Sequence, residues 1–158
     1  MKYRGFVRSM AVLGFLGGLA WGLTPLYALA FNMTTSLPGT LYFVVKSHPL
    51  PKRGDTIAFR WHGGATYPAG VMFIKHVAGE PGDVVHVAGR NVWINDRYIG
   101  YAKPYSLAHV PLDPAMGGPI PAGQYFVASP NPNSLDSRYS LAGNVPESAI
   151  IGRAYEIF

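Results

Sequence analysis

The sequence predicts a mainly β domain, a small coiled sheet or partly open barrel, preceded by one N-terminal transmembrane helix. Three observations carry this reading. Residues 9–45 contain no charged side chain, and the segment from about residue 10 to 31 is long enough to cross a bilayer. Beyond residue 32 the chain breaks into short apolar runs separated by Gly, Pro and Asn, the pattern of short strands. No long amphipathic helix period follows residue 32.

Taken in order, the first element is the apolar segment. Lys2, Arg4 and Arg8 precede it with no nearby acid, so the positive-inside rule puts the N-terminus in the cytoplasm and the body on the far side of the membrane. A cleaved signal peptide is the alternative, because Ala28-Leu29-Ala30 matches a small-x-small cleavage pattern. The apolar run, although interrupted at Thr24-Pro25, exceeds the usual signal-peptide core of about 7–15 residues. Residues 1–31 are therefore read as anchor or signal segment and 32–158 as an exported domain. In that domain the expected strands are 40–46, 55–61, 70–78, 83–88, 91–95, 97–101, 123–128 and 149–156. Asn95-Asp96 forms a hairpin turn without the usual glycine. The stretch 103–122, with several Pro and Gly residues, is a loop or flap rather than a linker.

Composition narrows the function classes. Of 158 residues, 49% are hydrophobic and only 13% charged, low for a soluble domain. The net charge of +5 lies mostly at the anchor, and no basic run with interleaved aromatics is present, which argues against nucleic-acid binding. The chain has no cysteine, so disulfides, thiol catalysis and thiolate metal sites are excluded. His48, His62, His76, His86 and His109 lack metal-ligand spacing. No cofactor or metal is expected.

Lys75 is the residue that calls for explanation. In Val71-Met72-Phe73-Ile74-Lys75-His76-Val77 the alternation of a strand places Lys75 on one face with Val71, Phe73 and Val77. Burial there would lower the amine pKa from about 10.4 by several units. That suggests chemistry, and a stem reaching water at the strand edge is the bland alternative. Ser36 lies just beyond the apolar segment, where Pro38-Gly39 favour an exposed turn. A serine hydroxyl needs a base, and a neutral lysine amine can serve as one. Asp136 and Arg138, in Ser134-Leu135-Asp136-Ser137-Arg138-Tyr139, are close enough for a local ion pair.

Together these segments resemble the signal peptidase I superfamily of Ser/Lys membrane peptidases. The likeness lies in four boxes in order: TTSLPGTLY (34–42), RGDTIAF (53–59), IKHVAGEPGDVV (74–85), and NSLDSRY (133–139) with GNVPESAIIGRA (143–154). Within it the chain is most similar to the conjugative-transfer signal peptidases of the TraF type, through Asn32-x-Thr34-x-Ser36-x-Pro38. Gly39 stands one residue earlier than that branch's usual glycine, and Ser140-Leu141-Ala142 intervene between Tyr139 and Gly143.

The resemblance implies a mainly β, signal-peptidase-type domain with Ser36 as nucleophile and Lys75 as general base. It implies an oxyanion site from the Ser36 N–H and the Thr34 hydroxyl, with Asp136, Ser134 and Arg138 positioning the amine and its loop. Substrate is expected as an added strand beside 40–46 or 70–77. The implied activity is processing of exported precursors at the outer face of the bacterial inner membrane by a single-pass enzyme. The implied substrate is a conjugative pilin, with possible cyclisation as part of its maturation. The alternatives are a general leader peptidase and a non-enzymatic membrane-anchored β binding module. A self-cleaving relative of the SOS repressors is disfavoured by the apolar segment and the lack of a DNA-binding domain.

Overall fold

The computed structural model describes residues 2–34, 36–46, 50–64 and 67–158, with side chains from residue 9 onward apart from that of residue 20. Thr35 of the nucleophile segment and His48 lie outside the described residues.

Helix α1 (Lys2–Leu23) is followed by strand β1 (Tyr27–Phe31). The expected single crossing over residues 10–31 is thereby corrected. Pro25 disfavours helical geometry at Thr24, and the turn closes through Thr24 N–H to Trp21 O (3.2 Å) and Leu26 N–H to Leu23 O (3.0 Å). The uncharged part of the helix, residues 9–23, rises about 22 Å at about 1.5 Å per residue, short of a hydrocarbon core of about 30 Å. Among the described residues no helix is long and apolar enough to cross a membrane. Met10, Val12, Leu13, Phe15, Leu16 and Trp21 are exposed, so the helix is apolar on every side. In β1 large and small residues alternate: Tyr27, Leu29 and Phe31 face out, and Ala30 is buried.

The remaining strands are β2 (Leu41–Val45), β3 (Thr56–Arg60), β4 (Met72–Gly79), β5 (Val84–Ala88), β6 (Asn91–Ile94), β7 (Arg97–Tyr101), β8 (Gly118–Pro119), β9 (Gln124–Ala128), β10 (Val145–Pro146) and β11 (Ile150–Glu156). All eight expected strands are present within two residues of their expected ends. β1 and the two-residue strands β8 and β10 were not expected. Seven strands form a sheet in the order β1-β2-β11-β3-β4-β9-β10, and four form a second in the order β7-β6-β5-β8. Every pairing is antiparallel. Asn95 takes a left-handed φ of 52° between paired Ile94 and Arg97. Asparagine tolerates that conformation, which is how the hairpin turns without glycine.

The large sheet is buried on both faces. Tyr42, Val44, Ala58 and Ala154 pack with Ala30 and Leu37 on one side. Ile57, Phe59, Val77, Tyr125, Val127 and Val145 pack on the other. A third cluster, including Ala78, Val85, Ile94, Ile120 and Phe126, joins the two sheets. Alternation sends Val77 to one of these cores, and a register shift before Gly79 accompanies the turn towards the second sheet.

Two strand edges stay open where the sheet curls. Among the described residues β1 pairs only with β2. β4 pairs with β3 over residues 72–76 but with β9 only from His76 onward, so residues 72–75 carry an edge not paired to another strand. β2, by contrast, lies between β1 and β11. This corrects the expectation of an added strand beside 40–46, because both β2 edges are occupied.

Gly152 is where β11 crosses closest to β2: a Cβ there would lie 2.1 Å from Val45 O and 2.9 Å from Lys46 Cα. Backbone cannot yield as a side chain can. Gly152→Ala is expected to destabilise the fold by at least about 1–3 kcal/mol, read as a lower urea midpoint at unchanged slope.

Candidate active site

The loop joining β1 to β2 is organised by Asn32. Its amide Nδ2 donates to Leu37 O (2.9 Å) and Gly39 O (2.8 Å), while Oδ1 accepts from Thr34 N–H (3.2 Å). Thr34 Oγ1 lies 3.1 Å from Asn32 Oδ1 and 3.0 Å from Ser36 Oγ. A hydroxyl has one proton. If Thr34 gives its proton to Asn32, it can accept from Ser36. Leu37, 4% exposed, plugs the adjoining core, so the loop carrying Ser36 is pinned from below.

Lys75 sits on β4 opposite Ile57 of β3 and is only 4% exposed. Burial pulls its amine from 10.5 down to about 8; nearby Asp136 pulls the other way, and Arg138 reinforces the lowering. Its Nζ lies 5.6 Å from the centre of the Phe73 ring, two residues along the same face. The alternation read from sequence is thus the arrangement found. Ser36, Thr34 and Lys75 line one cleft of about 340 Å³, bounded by residues 29–33 and 71–75. Those are the two open strand edges.

The Gly-Glu-Pro-Gly-Asp turn after Lys75 is structural. Asp83 accepts from Glu80 N–H (2.7 Å), from Arg53 Nη2 at both oxygens (2.7 and 2.6 Å) and from Asn95 Nδ2 (2.9 Å). Burial pushes the Asp83 carboxyl up, but these bonds outweigh it and hold the pKa below its ordinary value. Glu80 in turn accepts from Arg53 N–H (2.6 Å), and Gly54 N–H and Val77 N–H bond across to Val77 O and Asp55 O. The second and third sequence boxes therefore form one clamp that fixes the register of β4, and with it the direction of Lys75.

Asp136 and Arg138 are buried together, at 2% and 3% or less of their exposed surface. Arg138 donates to Asp136 through Nε (2.8 Å), Nη2 (2.8 Å) and its own N–H (3.2 Å), and to Asn131 O (2.9 Å). The Asp136 carboxylate also accepts from Ser129 N–H (3.1 Å), and the Ser129 hydroxyl donates to Ser36 O. Ser134 is buried, and its Oγ has no hydrogen-bond partner among the described residues. It lines the cavity next to Ser36. The inserted Ser140-Leu141-Ala142 form a tight turn, with Ala142 N–H and Gly143 N–H both donating to Tyr139 O (3.0 Å each). Gly143 takes φ 60°, Leu141 packs against the third core cluster and Ala142 is buried, so the extra residues fold back onto the body while the Asp136–Arg138 pair stays intact.

Of the six residues selected from sequence, Ser36, Thr34 and Lys75 share one cleft, and Ser134 meets Ser36 in the adjoining cavity. Asp136 and Arg138 reach Lys75 through charge, not through a hydrogen bond among those found for the described residues. Ser129 was missed. It stands in a Pro/Asn-rich turn, where a serine reads as a turn former, and nothing local marks it as the link between the Asp136 loop and Ser36.

A mainly β domain with this site is a signal-peptidase-type domain. The chain belongs to the family described as signal peptidase, peptidase S26, which it matches over residues 5–158. It is 31% identical over 146 residues to signal peptidase I of Pseudomonas fluorescens, covering 68% of this chain and 49% of that one. It is 36% identical over 120 residues to a probable signal peptidase I-2 of Synechocystis sp., covering 68% and 48%. A solved signal peptidase I structure from Enterococcus faecalis V583 is 25% identical, with a TM-score of 0.43, covering 68% of this chain and 98% of that one. The chain spans about half the length of the curated relatives it matches.

The lowered Lys75 pKa has a stability consequence. Between about 8 and 10.5 the unfolded chain binds a proton that the folded chain does not, so wild-type stability rises with pH through that window. Below it the buried amine costs up to about 3 kcal/mol at about 1.36 kcal/mol per unit. Lys75→Met is expected to be about 1–3 kcal/mol more stable than wild type at pH 7. In urea titrations the gap should narrow from pH 8 to 10.5.

Proposed function

We propose that this chain is a serine endopeptidase with a Ser36/Lys75 dyad that cleaves exported, signal-peptide-bearing precursors at a membrane surface. The observation that carries the reading is Lys75, buried to 4% exposure and lowered to about 8 in the cleft that Ser36 also lines. An amine of that pKa is about one-tenth neutral at pH 7, against less than about one part in a thousand at its ordinary pKa, so a working fraction of the base form is present and grows with pH.

In this mechanism Lys75 accepts the Ser36 proton as Oγ attacks the scissile carbonyl. The ammonium so formed then protonates the leaving amine, and water resolves the acyl-enzyme with Lys75 again as base. The oxyanion is received by the Ser36 N–H and, as its proton turns from Asn32 Oδ1, by the Thr34 hydroxyl, each such donor being worth about 10²–10³ in rate. Asp136 tempers the desolvation of Lys75, Arg138 neutralises Asp136, and Ser134 offers the amine a hydroxyl to orient against. The residues before the cut are held as an extended strand between the open edges of β1 and β4, where main-chain bonds give affinity and small pockets give selectivity.

Residues 1–31 serve as the membrane-associating segment, with the apolar sides of α1 against lipid, and 32–158 form the catalytic domain on the outer face. The signal peptidase I relatives support a general leader peptidase. A second reading, maturation of a conjugative pilin precursor, is favoured by Asn32-x-Thr34-x-Ser36-x-Pro38, in which Asn32 organises the whole nucleophile loop. Intact-mass measurement after co-expression separates the two: a signal-bearing secretory precursor or a pilin precursor is shortened, and cyclisation removes one further water.

Ser36→Ala and Lys75→Met should each lower precursor cleavage by at least about 10³-fold without loss of fold. Retained processing by Ser36→Ala would leave the non-enzymatic binding module as the reading. Wild-type kcat/KM should rise with pH up to about 8 and level off above it, since only the neutral amine accepts the proton. A flat profile from pH 6 to 10 contradicts a titrating lysine.

A further inference from the structure

Ser36 stands where two cavities meet. The first holds Lys75 and the two open strand edges. The second, of about 400 Å³, lies beneath the loop 103–112, within the range of about 300–1,000 Å³ usual for ligand sites. Its apolar walls come from Tyr105, Leu107, Val110, Leu112, Leu135 and Tyr139. Leu107 is 80% exposed and Tyr105 57%. Large apolar side chains facing water at the lip of a cavity mark it as a place to be covered.

The loop is held in shape. Arg90, from the turn between β5 and β6, donates to Ala102 O (2.6 Å), Lys103 O (3.0 Å) and Leu112 O, gathering both ends of the loop at its neck. Leu112 N–H bonds to Pro104 O (2.9 Å) and Ser106 N–H to Val110 O (2.9 Å). The Ser106 hydroxyl caps the tip by accepting from Ala108 N–H (3.2 Å) and Val110 N–H (3.1 Å). Lys103 Nζ donates to Asn133 Oδ1, tying the loop to the 131–133 turn. The cavity is therefore preformed, which lowers the ordering cost of filling it.

A polypeptide attacked by Ser36 has residues on both sides of the cut. With the acyl side laid between β1 and β4, the chain must leave Ser36 through the second cavity. We infer that the cavity under the 103–112 loop binds the residues that follow the scissile bond and selects a large apolar side chain among them. This rests on the peptidase reading above.

The test is a peptide panel identical up to the cut and carrying Phe, Leu, Gly or Asp in the two positions after it. Wild-type kcat/KM should favour Phe or Leu over Gly by about tenfold or more, the usual worth of filling an apolar pocket. Val110→Trp, which fills the cavity, and Leu107→Ala, which opens its lip, should both bring the Phe-to-Gly ratio towards one. A wild-type ratio near one overturns the inference while leaving the peptidase reading intact. If no peptide is cleaved, the peptidase reading fails, and the cavity is still read by calorimetry with the post-cut peptide alone on Ser36→Ala protein. Binding of the Phe peptide that Val110→Trp abolishes supports the inference; absence of binding overturns it.

Discussion

The Asp136 carboxylate is the group on which the site depends. It is buried and held by three donors from Arg138 and by Ser129 N–H. Removing either charge alone would strand the other in a low-dielectric interior, at a cost of about 3–5 kcal/mol. Through Ser129 the same carboxylate reaches the main chain of Ser36, and through space it opposes the desolvation of Lys75. One buried ion pair thus helps to fix the main chain of the proposed nucleophile and adjusts a proton affinity of the proposed base that burial lowers first.

The sequence boxes divide into two physical kinds. Ser36 and Lys75 line a cleft and carry the proposed reacting atoms. Arg53, Glu80 and Asp83 carry none there; they bind each other and fix where β4 begins its turn. A one-residue slip of β4 would turn every side chain to the opposite face and take Lys75 off the face it shares with Phe73 and Val77. Motif residues that line no cleft can therefore be as necessary as the proposed dyad.

Much of this was legible in the chain. Alternation over residues 71–77 placed Lys75 on the face of Phe73 and Val77, and Gly, Pro and Asn punctuation located eight strands. The failures share a cause: each depends on a partner distant in sequence. Tyr27-Ala28-Leu29-Ala30-Phe31 is apolar enough to pass for membrane segment, and only pairing with β2 makes it a strand. The open edge of β4 follows from where β9 stops pairing, which no local pattern encodes. Ser129 gains its role from a contact across 93 positions.

Strand β1 has a further consequence. It follows α1 after residues 24–26, which are fastened by Lys46 Nζ to Thr24 O (2.6 Å) and Lys46 N–H to Leu26 O (2.8 Å). Its far end runs into Asn32 and the loop of Ser36. The chain that leaves the apolar helix is thus also one wall of the cleft. With α1 against lipid, as proposed, the height of Ser36 above that layer is set by covalent connectivity rather than by docking. The segment then works as a gauge block: it sets how far from the lipid a bond must lie to be cut.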